Sequence, residues 1–289
     1  MTWRQHFSDH LELAKFRICL LALLMATLGY WLGVGAGPFR GWHFAVSLLG
    51  IALVGVSSGF LNQYMERDVD GKMWRTLNRP LPGDRVAPLY VLKVGWAMGL
   101  LGEAILLIFV NPVTAVLGGL TLLFYLGIYT PSKRLSPYST LIGAIPGALP
   151  PLMGWTSSYG ILHWEGFVLF MVLFLWQVPH FLAIAWLYQS DYSRAGLPVL
   201  PVVDPGGRAV ARQVIFYLLA LTIVVALPTH WGLTGRVYLV GTTIASITFL
   251  ISGIFLARNK TMKSARGVFF VSIAYLPVWA ILMVCDLIR

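Results

Sequence analysis

The sequence predicts an all-α polytopic membrane protein, a single bundle of nine transmembrane helices. Three observations predict it. Hydrophobic residues make up 58% of the 289-residue chain. Charged residues make up only 11%, against about 25% in soluble domains, too few to cover a water-soluble globule. The apolar residues also gather into segments of about 20, the length that crosses roughly 30 Å of hydrocarbon. These features exclude a disordered chain, a collagen and a soluble basic nucleic-acid-binding domain, despite the formal net charge of +10.

The first segment, residues 15–35, follows a stretch that mixes His, Asp, Glu, Lys and Arg. No small-residue cleavage site follows a short apolar core, so the segment is expected to stay as a span. The second, 42–65, runs into a polar cluster. The third, 87–110, opens after Leu81, Pro82, Gly83, Asp84 and Arg85, and carries Lys93 and Glu103. An acid inside an apolar span is functional by default. Glu103 sits toward the outer end, however, and is left out of the candidate site. The fourth, 112–130, ends at Tyr129 and Thr130, before Lys133 and Arg134. The fifth, 139–159, holds Gly143, Pro146, Gly147, Pro150, Pro151 and Gly154. Such residues are tolerated where neighbouring helices pack around the interrupted backbone. The sixth, 164–188, leads into a second polar cluster, and 211–229, 236–257 and 267–287 complete the set. Cys19 and Cys285 lie in apolar stretches at opposite ends of the chain and read as core residues, not as a disulfide or metal pair. His43, His163 and His230 fall at the outer face, where a structural reading dominates.

The basic residues set the orientation. With the N-terminus in the cytoplasm, 17 of the 21 Lys and Arg fall on the inner side. Only Arg40, Arg236 and Arg289 fall outside, and Lys93 lies in the first turns of the third span. Positive residues favour the cytoplasmic face, so the expected topology has the N-terminus inside and the C-terminus outside. Acidic residues are not governed by that rule. Yet eight of eleven are also inside: Asp9, Glu12, Glu66, Asp68, Asp70, Asp84, Asp191 and Asp204. Carboxylates and cations are therefore used together on that side.

Two clusters concentrate them. Asn62, Glu66 and Asp70 are four residues apart at the end of the second span, so they stack on one helix face. Stacked carboxylates repel unless a cation sits between them. Hard oxygen ligands of this kind suit Mg²⁺, which takes one or two carboxylates, waters and substrate phosphate oxygens. Arg67, Lys72, Arg75 and Arg79 form a cationic wall beside them, and Arg forks bind phosphate. Together they fit an anion delivered with its metal, most simply a diphosphate. The alternative is a solvated juxtamembrane loop with local ion pairs, and the four-residue spacing on an apolar helix favours the metal site. The second cluster contains Trp176, Gln177, Pro179, His180 and Phe181, then Asp191, Tyr192 and Arg194 through Pro201. It occupies the equivalent place in the second half of the chain, and Pro82 and Pro201 are 119 residues apart. This correspondence suggests two four-helix repeats whose polar loops face one cavity. The third inner loop, with Lys133 and Arg134, closes over an anionic substrate or simply sets topology.

At these residues the chain resembles the UbiA-type intramembrane prenyltransferases and, among them, the branch whose acceptor is heme. The resemblance runs from about Lys15 to the last span. The family motif is Asn-x3-Asp-x3-Asp followed by Arg-Thr-x-x-Arg-Pro-Leu. Asn62, Asp70, Arg75, Thr76, Arg79, Pro80 and Leu81 match it, while Glu66 replaces the middle Asp and is one methylene longer. The heme branch is marked by Tyr129-Thr130, by Gly147 to Trp155, by Trp176 to Phe181 and by Asp191 to Pro201. Two departures stand out. The basic loop after Thr130 is short, with Ser139 where the family has Asn. The second motif has one carboxylate, Asp191, with Ala195 four residues on, where relatives outside the heme branch have an Asp pair.

The resemblance implies a UbiA-type bundle of two four-helix repeats plus one extra helix. Loops 66–86, 131–138 and 189–210 would cap the active site of a single domain spanning residues 1–289. It implies that the farnesyl group of farnesyl diphosphate joins a vinyl group of heme B, with water addition, giving heme O and diphosphate. Mg²⁺ would be held by Asn62, Glu66, Asp70 and Asp191. The diphosphate would be bound by Lys72, Arg75, Arg79, Lys133 and Arg134. Tyr64, Tyr129, Trp176, Gln177, His180, Phe181 and Tyr192 would line the substrates. His180 follows a helix-kinking Pro and reads either as a hydrogen-bonded interior residue or as a group that contacts heme iron or positions water. Other partners implied are membrane lipids and a heme A synthase or terminal-oxidase assembly factor, with no nucleic acid. The implied location is the cell inner membrane. Two other readings stay open. One is a related enzyme with an aromatic quinone precursor as acceptor. The other is a secondary transporter, whose site is expected near the bilayer midplane.

Overall fold

The computed structural model describes residues 3–35 and 37–288. Arg289, one of the basic residues assigned to the outer side, lies outside the described residues. The described residues form helices, turns and one isolated β-bridge between Thr234 and Leu287. In chain order the helices are α1 (Trp3–Leu13), α2 (Phe16–Val34), α3 (Gly41–Asp70), α4 (Pro88–Val110), α5 (Pro112–Ser132) and α6 (Ser139–Tyr159). They continue with α7 (Trp164–Leu187), the short α8 (Gln189–Arg194) and α9 (Leu200–Val203), then α10 (Arg208–His230), α11 (Arg236–Asn259) and α12 (Met262–Cys285). Eight of them, α2 to α5, α7 and α10 to α12, are long and apolar enough to cross a membrane. The chain is thus an all-α multi-pass membrane protein.

Local chemistry sets the helix ends. Pro88 and Pro112 begin α4 and α5, where a missing N–H costs nothing. The Asn111 side chain accepts from the Thr114 amide at 2.8 Å to cap α5. Thr261 and Ser264 form a reciprocal capping box at the start of α12. The Asp204 carboxylate accepts from the amides of Ala209 and Val210, at 2.6 and 3.3 Å, and so caps α10. The last turns of α5, Leu123–Tyr129, are widened into π-helix, a feature that often re-aims side chains at functional sites.

The fifth expected segment, α6, is as long as the others and uncharged, yet it is not among the eight apolar spans. Its burial explains why. Every residue from Ala148 to Ser157 is buried, so α6 is surrounded by protein and needs no lipid-compatible surface. Its small residues allow very close packing on α2. A Cβ added to Gly154 would lie 1.9 Å from the Ala26 carbonyl oxygen, and one added to Gly29 would lie 1.9 Å from that of Pro151. Backbones in direct contact are a membrane packing mode that only small residues permit.

Five connections meet at one end of the bundle. The α1–α2 corner rests on Gly59 of α3, where an added Cβ would lie 2.8 Å from the Leu13 carbonyl oxygen. The α3–α4 loop is tied to α1 through Arg85, which donates to Asp9 at 2.9 Å and lies 3.5 Å from Glu12. The α5–α6 loop reaches α3 through Lys133. The α7–α10 connection reaches the α3–α4 loop through Asp191. Gly207, before α10, lies against Lys260 of the α11–α12 turn. α1, α8 and α9 were not foreseen, because they are short and lack a long apolar run. Cys285 corrects an expectation: it is exposed at the end of α12 and is not a core residue. An apolar neighbourhood in sequence does not distinguish a lipid-facing position from a buried one. Cys19 is half-buried, and its thiol donates to the Ala14 carbonyl at 3.0 Å.

The α2–α6 contact gives a direct stability test. Gly154→Val overpacks it and costs roughly 1–3 kcal/mol, read as a lowered unfolding temperature in detergent. Gly119→Ala, whose new methyl meets open space, does not lower it.

Candidate active site at one end of the bundle

The last turns of α3 carry Asn62, Glu66 and Asp70 along one face, all buried. An uncompensated carboxylate here is costly, and each of the three oxygen-bearing groups is met by a cation from elsewhere. The Lys15 ammonium, from the α1–α2 corner, donates to Asn62 Oδ1 at 2.5 Å and to the Tyr125 hydroxyl at 3.2 Å. Lys133 Nζ lies 2.6 Å from Glu66 Oε1. Arg79 donates to Asp70 Oδ2 at 2.7 Å. The Thr76 hydroxyl, between Arg75 and Arg79 in the first motif, donates to the Asp70 carbonyl at 2.8 Å and folds the loop back onto α3.

The π-helical end of α5 completes this face. Thr130 Oγ1 donates to the Tyr125 carbonyl at 2.8 Å and accepts from Asn62 Nδ2 at 2.9 Å. The Asn62 oxygen is thereby turned toward Lys15. The Tyr129 ring lies on Gly143 of α6, where any Cβ would clash with it, and Lys133 Nζ sits 4.5 Å from its centroid. Burial opposes the charge on Lys133. The Glu66 carboxylate outweighs that and, with the tyrosines nearby, holds the ammonium well above the ordinary lysine value.

Asp191 joins the second polar cluster to the first. Its two carboxylate oxygens accept from the amides of Trp74 and Arg75, each at 3.3 Å. Arg75 lies over the Tyr188 ring at 4.6 Å and donates to the Tyr192 hydroxyl at 3.3 Å. Arg194 lies over the Trp74 ring at 4.7 Å. The α3–α4 loop is thus held down by α8.

A third group stands on α7. His180 is stacked between Trp176 and Phe269, at centroid distances of 4.9 and 5.3 Å. Ser272 Oγ donates its proton to the Phe269 carbonyl at 2.6 Å. His180 Nδ1, 2.7 Å from Ser272 Oγ, is therefore the donor, and Nε2 carries the lone pair. Trp176 Nε1 donates to the Ser272 carbonyl at 2.8 Å. Gln177 packs over Gly147 of α6, with no room for a Cβ between them. His180 is hydrogen-bonded to α12, not to the acidic face of α3.

Other sequence-chosen residues lie apart. Tyr64 points away from Asn62 and packs against the Leu13, Phe60, Leu81 and Val91 cluster, under Arg67. Lys72 and Arg134 are exposed at the rim, and Phe181 is exposed on α7. Lys15, Tyr125 and Thr130 were not chosen. Thr130 was visible in the Tyr129-Thr130 pair. Lys15 was counted only as an orientation marker, and nothing in the sequence distinguishes it from exposed Arg17.

The donor set fits a hard divalent cation. Among the described residues no three His, Cys, Asp or Glu side chains converge as a preformed cage. Mg²⁺ does not need one, since it binds through one or two carboxylates, waters and substrate phosphates. Oxygen donors on α3 with cations around them supply that chemistry.

The Glu66–Lys133 pair yields a prediction. In metal-free detergent, Lys133→Met leaves a buried carboxylate alone and costs roughly 3 kcal/mol. Adding Glu66→Met to it restores most of the loss in the unfolding midpoint.

Comparison with known proteins identifies the family and the fold. Residues 22–274 match the UbiA prenyltransferase family. A protoheme IX farnesyltransferase from Solibacter usitatus is 42% identical over 288 residues, covering 96% of this chain and 98% of that protein. The solved structure of a digeranylgeranylglyceryl phosphate synthase superposes with a TM-score of 0.83 at 17% identity, covering 98% of both chains. A UbiA homolog from Archaeoglobus fulgidus bound to DMAPP and Mg²⁺ superposes with a TM-score of 0.62 at 15% identity, covering 95% of this chain and 100% of that one. The chain belongs to the UbiA prenyltransferase family.

Proposed function

We propose that this protein is an intramembrane prenyltransferase that joins the farnesyl group of farnesyl diphosphate to a vinyl group of heme B and adds water, giving heme O and diphosphate. The observation that carries the reading is the acidic face of α3, ringed by cations from three separate segments and bridged by Asp191 to the second polar cluster. The similarity to a protoheme IX farnesyltransferase over nearly the whole of both chains supports the choice of prenyl donor and acceptor.

In this reading the C–O bond of farnesyl diphosphate breaks, and its electron pair leaves with the diphosphate. The vinyl terminal carbon attacks the allylic carbon. Water captures the cation left beside the porphyrin ring and loses a proton. Mg²⁺ held by Asn62, Glu66, Asp70 and Asp191 would supply Lewis-acid neutralisation of the leaving group. Arg79, Arg75 and Lys133 stabilise the same developing charge, with Lys72 and Arg134 at the rim drawing the anion in. Asp191 also fixes the Trp74–Arg75 backbone and so positions the Arg75 guanidinium. Tyr129, Trp176, Gln177 and Tyr192 would line the prenyl chain and offer π faces to its cation. His180, held through Nδ1, offers Nε2 to heme iron or to the attacking water. Tyr64 and Phe181 have peripheral places.

The reading carries a topology. α6 joins the eight apolar helices to give nine spans, as two four-helix repeats plus α12. The chain is one domain, with loops 66–86, 131–138 and 189–210 over the site. The N-terminus is cytoplasmic, the C-terminus is on the outer side, and the location is the cell inner membrane. Heme O passes to a heme A synthase or a terminal-oxidase assembly factor.

Two measurements test this. Purified protein given Mg²⁺, farnesyl diphosphate and heme B yields heme O by mass spectrometry, and a hydroxybenzoate offered instead is not prenylated. The opposite preference would replace heme with a quinone precursor as acceptor. In cells, Asp70→Ala lowers heme O at least roughly a hundredfold, and unchanged heme O removes Asp70 from the mechanism.

A further inference from the structure

Lys15 occupies an unusual position. Its backbone is left-handed, with φ 49° and ψ 47°, a conformation uncommon for residues other than glycine, and several contacts hold it there. Gly59 lets the α1–α2 corner rest on α3, one turn before Asn62. Gln63 Nε2 donates to the Glu12 carbonyl at 2.7 Å. Arg85 holds Asp9 at 2.9 Å, and His10 Nε2 lies 2.9 Å from the Tyr90 hydroxyl. Together they fix one corner whose side chain delivers an ammonium to Asn62 Oδ1 at 2.5 Å. Thr130 keeps that oxygen facing it.

Each of the three α3 residues is therefore engaged by a basic side chain: the single side-chain oxygen of Asn62 by Lys15, Glu66 Oε1 by Lys133 and Asp70 Oδ2 by Arg79. Three basic side chains face two carboxylates, and burial together with the neighbouring Lys133 charge lowers the Lys15 pKa to about 7, so positive charge is already crowded at this face. A bare divalent cation adds to that crowding and must displace Lys15 to reach the Asn62 oxygen. A prenyl diphosphate arriving with its metal brings net negative charge, and it offers the displaced ammonium phosphate oxygens in exchange.

We propose that Lys15 is an internal counter-ion that closes the metal site until diphosphate arrives, so that the divalent cation binds tightly only together with the diphosphate. The inference rests on the metal–diphosphate reading of this site and adds an order of binding to it. Lys15 acts here as a positioning residue. The released ammonium moves from Asn62 to the diphosphate, and Tyr125, 3.2 Å away, is the pivot that keeps it in the site.

The test is Mn²⁺ binding to the full-length protein in detergent, read by electron paramagnetic resonance, with and without farnesyl thiolodiphosphate. Wild type is expected to bind Mn²⁺ weakly alone and at least roughly tenfold more tightly with the analogue. Lys15→Met is expected to bind Mn²⁺ alone about tenfold more tightly than wild type, with most of the analogue dependence lost. Lys15→Arg, which keeps the charge, behaves as wild type. Unchanged Mn²⁺ affinity in folded Lys15→Met overturns the proposal. So does a wild type that binds Mn²⁺ equally well with and without the analogue, a result that needs no variant to fold. A wild type that binds no Mn²⁺ even with the analogue overturns the metal–diphosphate reading itself, and the proposal with it.

Discussion

A carboxylate at the end of an apolar helix must be met by positive charge, and α3 carries two such groups one turn apart. The rest of the polar end is arranged around that requirement. Three cations come from three places far apart in sequence: the α1–α2 corner, the α3–α4 loop and the α5–α6 loop. None reaches α3 unless its own segment is fixed. Arg85 on Asp9 fixes the corner, Asp191 on two backbone amides fixes the loop, and the Tyr129 ring on Gly143 fixes the lysine. Electrostatic need at one helix face thus sets the path of most of the connections at that end.

This arrangement accounts for the eight carboxylates that the sequence assigned to one side. Glu66, Asp70 and Asp191 belong to the candidate site. Asp9 and Glu12 latch α1 to the α3–α4 loop through Arg85. Asp204 caps α10. Asp68 and Asp84 are exposed at the rim. Carboxylates and cations are indeed used together, and the Arg85 latch on Asp9 and Glu12 is architectural. A loop that carries Arg75 or Arg79 is useful to an anionic ligand only if it is held still.

Much of this was legible in the sequence, for identifiable reasons. Hydropathy located the long helices, because lipid demands continuous apolar runs. The spacing of Asn62, Glu66 and Asp70 announced a shared face, because α-helical period is local. What was not legible depends on contacts between distant segments. Lys15 is 47 residues from Asn62, and nothing in its neighbours announces the left-handed turn that brings them together. Tyr64 was expected to line the substrates as an aromatic wall. Two residues along an α-helix from Asn62, however, is about 200° of rotation, which sends it to the opposite face. The same blindness to facing put Cys285 in the core.

The central helix α6 has a consequence for how the chain reaches its membrane. A segment interrupted by Pro146, Pro150 and Pro151 and buried along most of its length has little reason to dissolve in lipid alone. Its solvent is the protein, above all α2, which meets it backbone to backbone. During synthesis α2 enters the bilayer well before α6 emerges. Insertion of α6 is then a docking event, and its rate depends on whether α2 still presents an open face when α6 arrives. A defect at Gly29 or Gly154 would therefore be felt first as failed membrane integration, before any folded protein exists to be unstable.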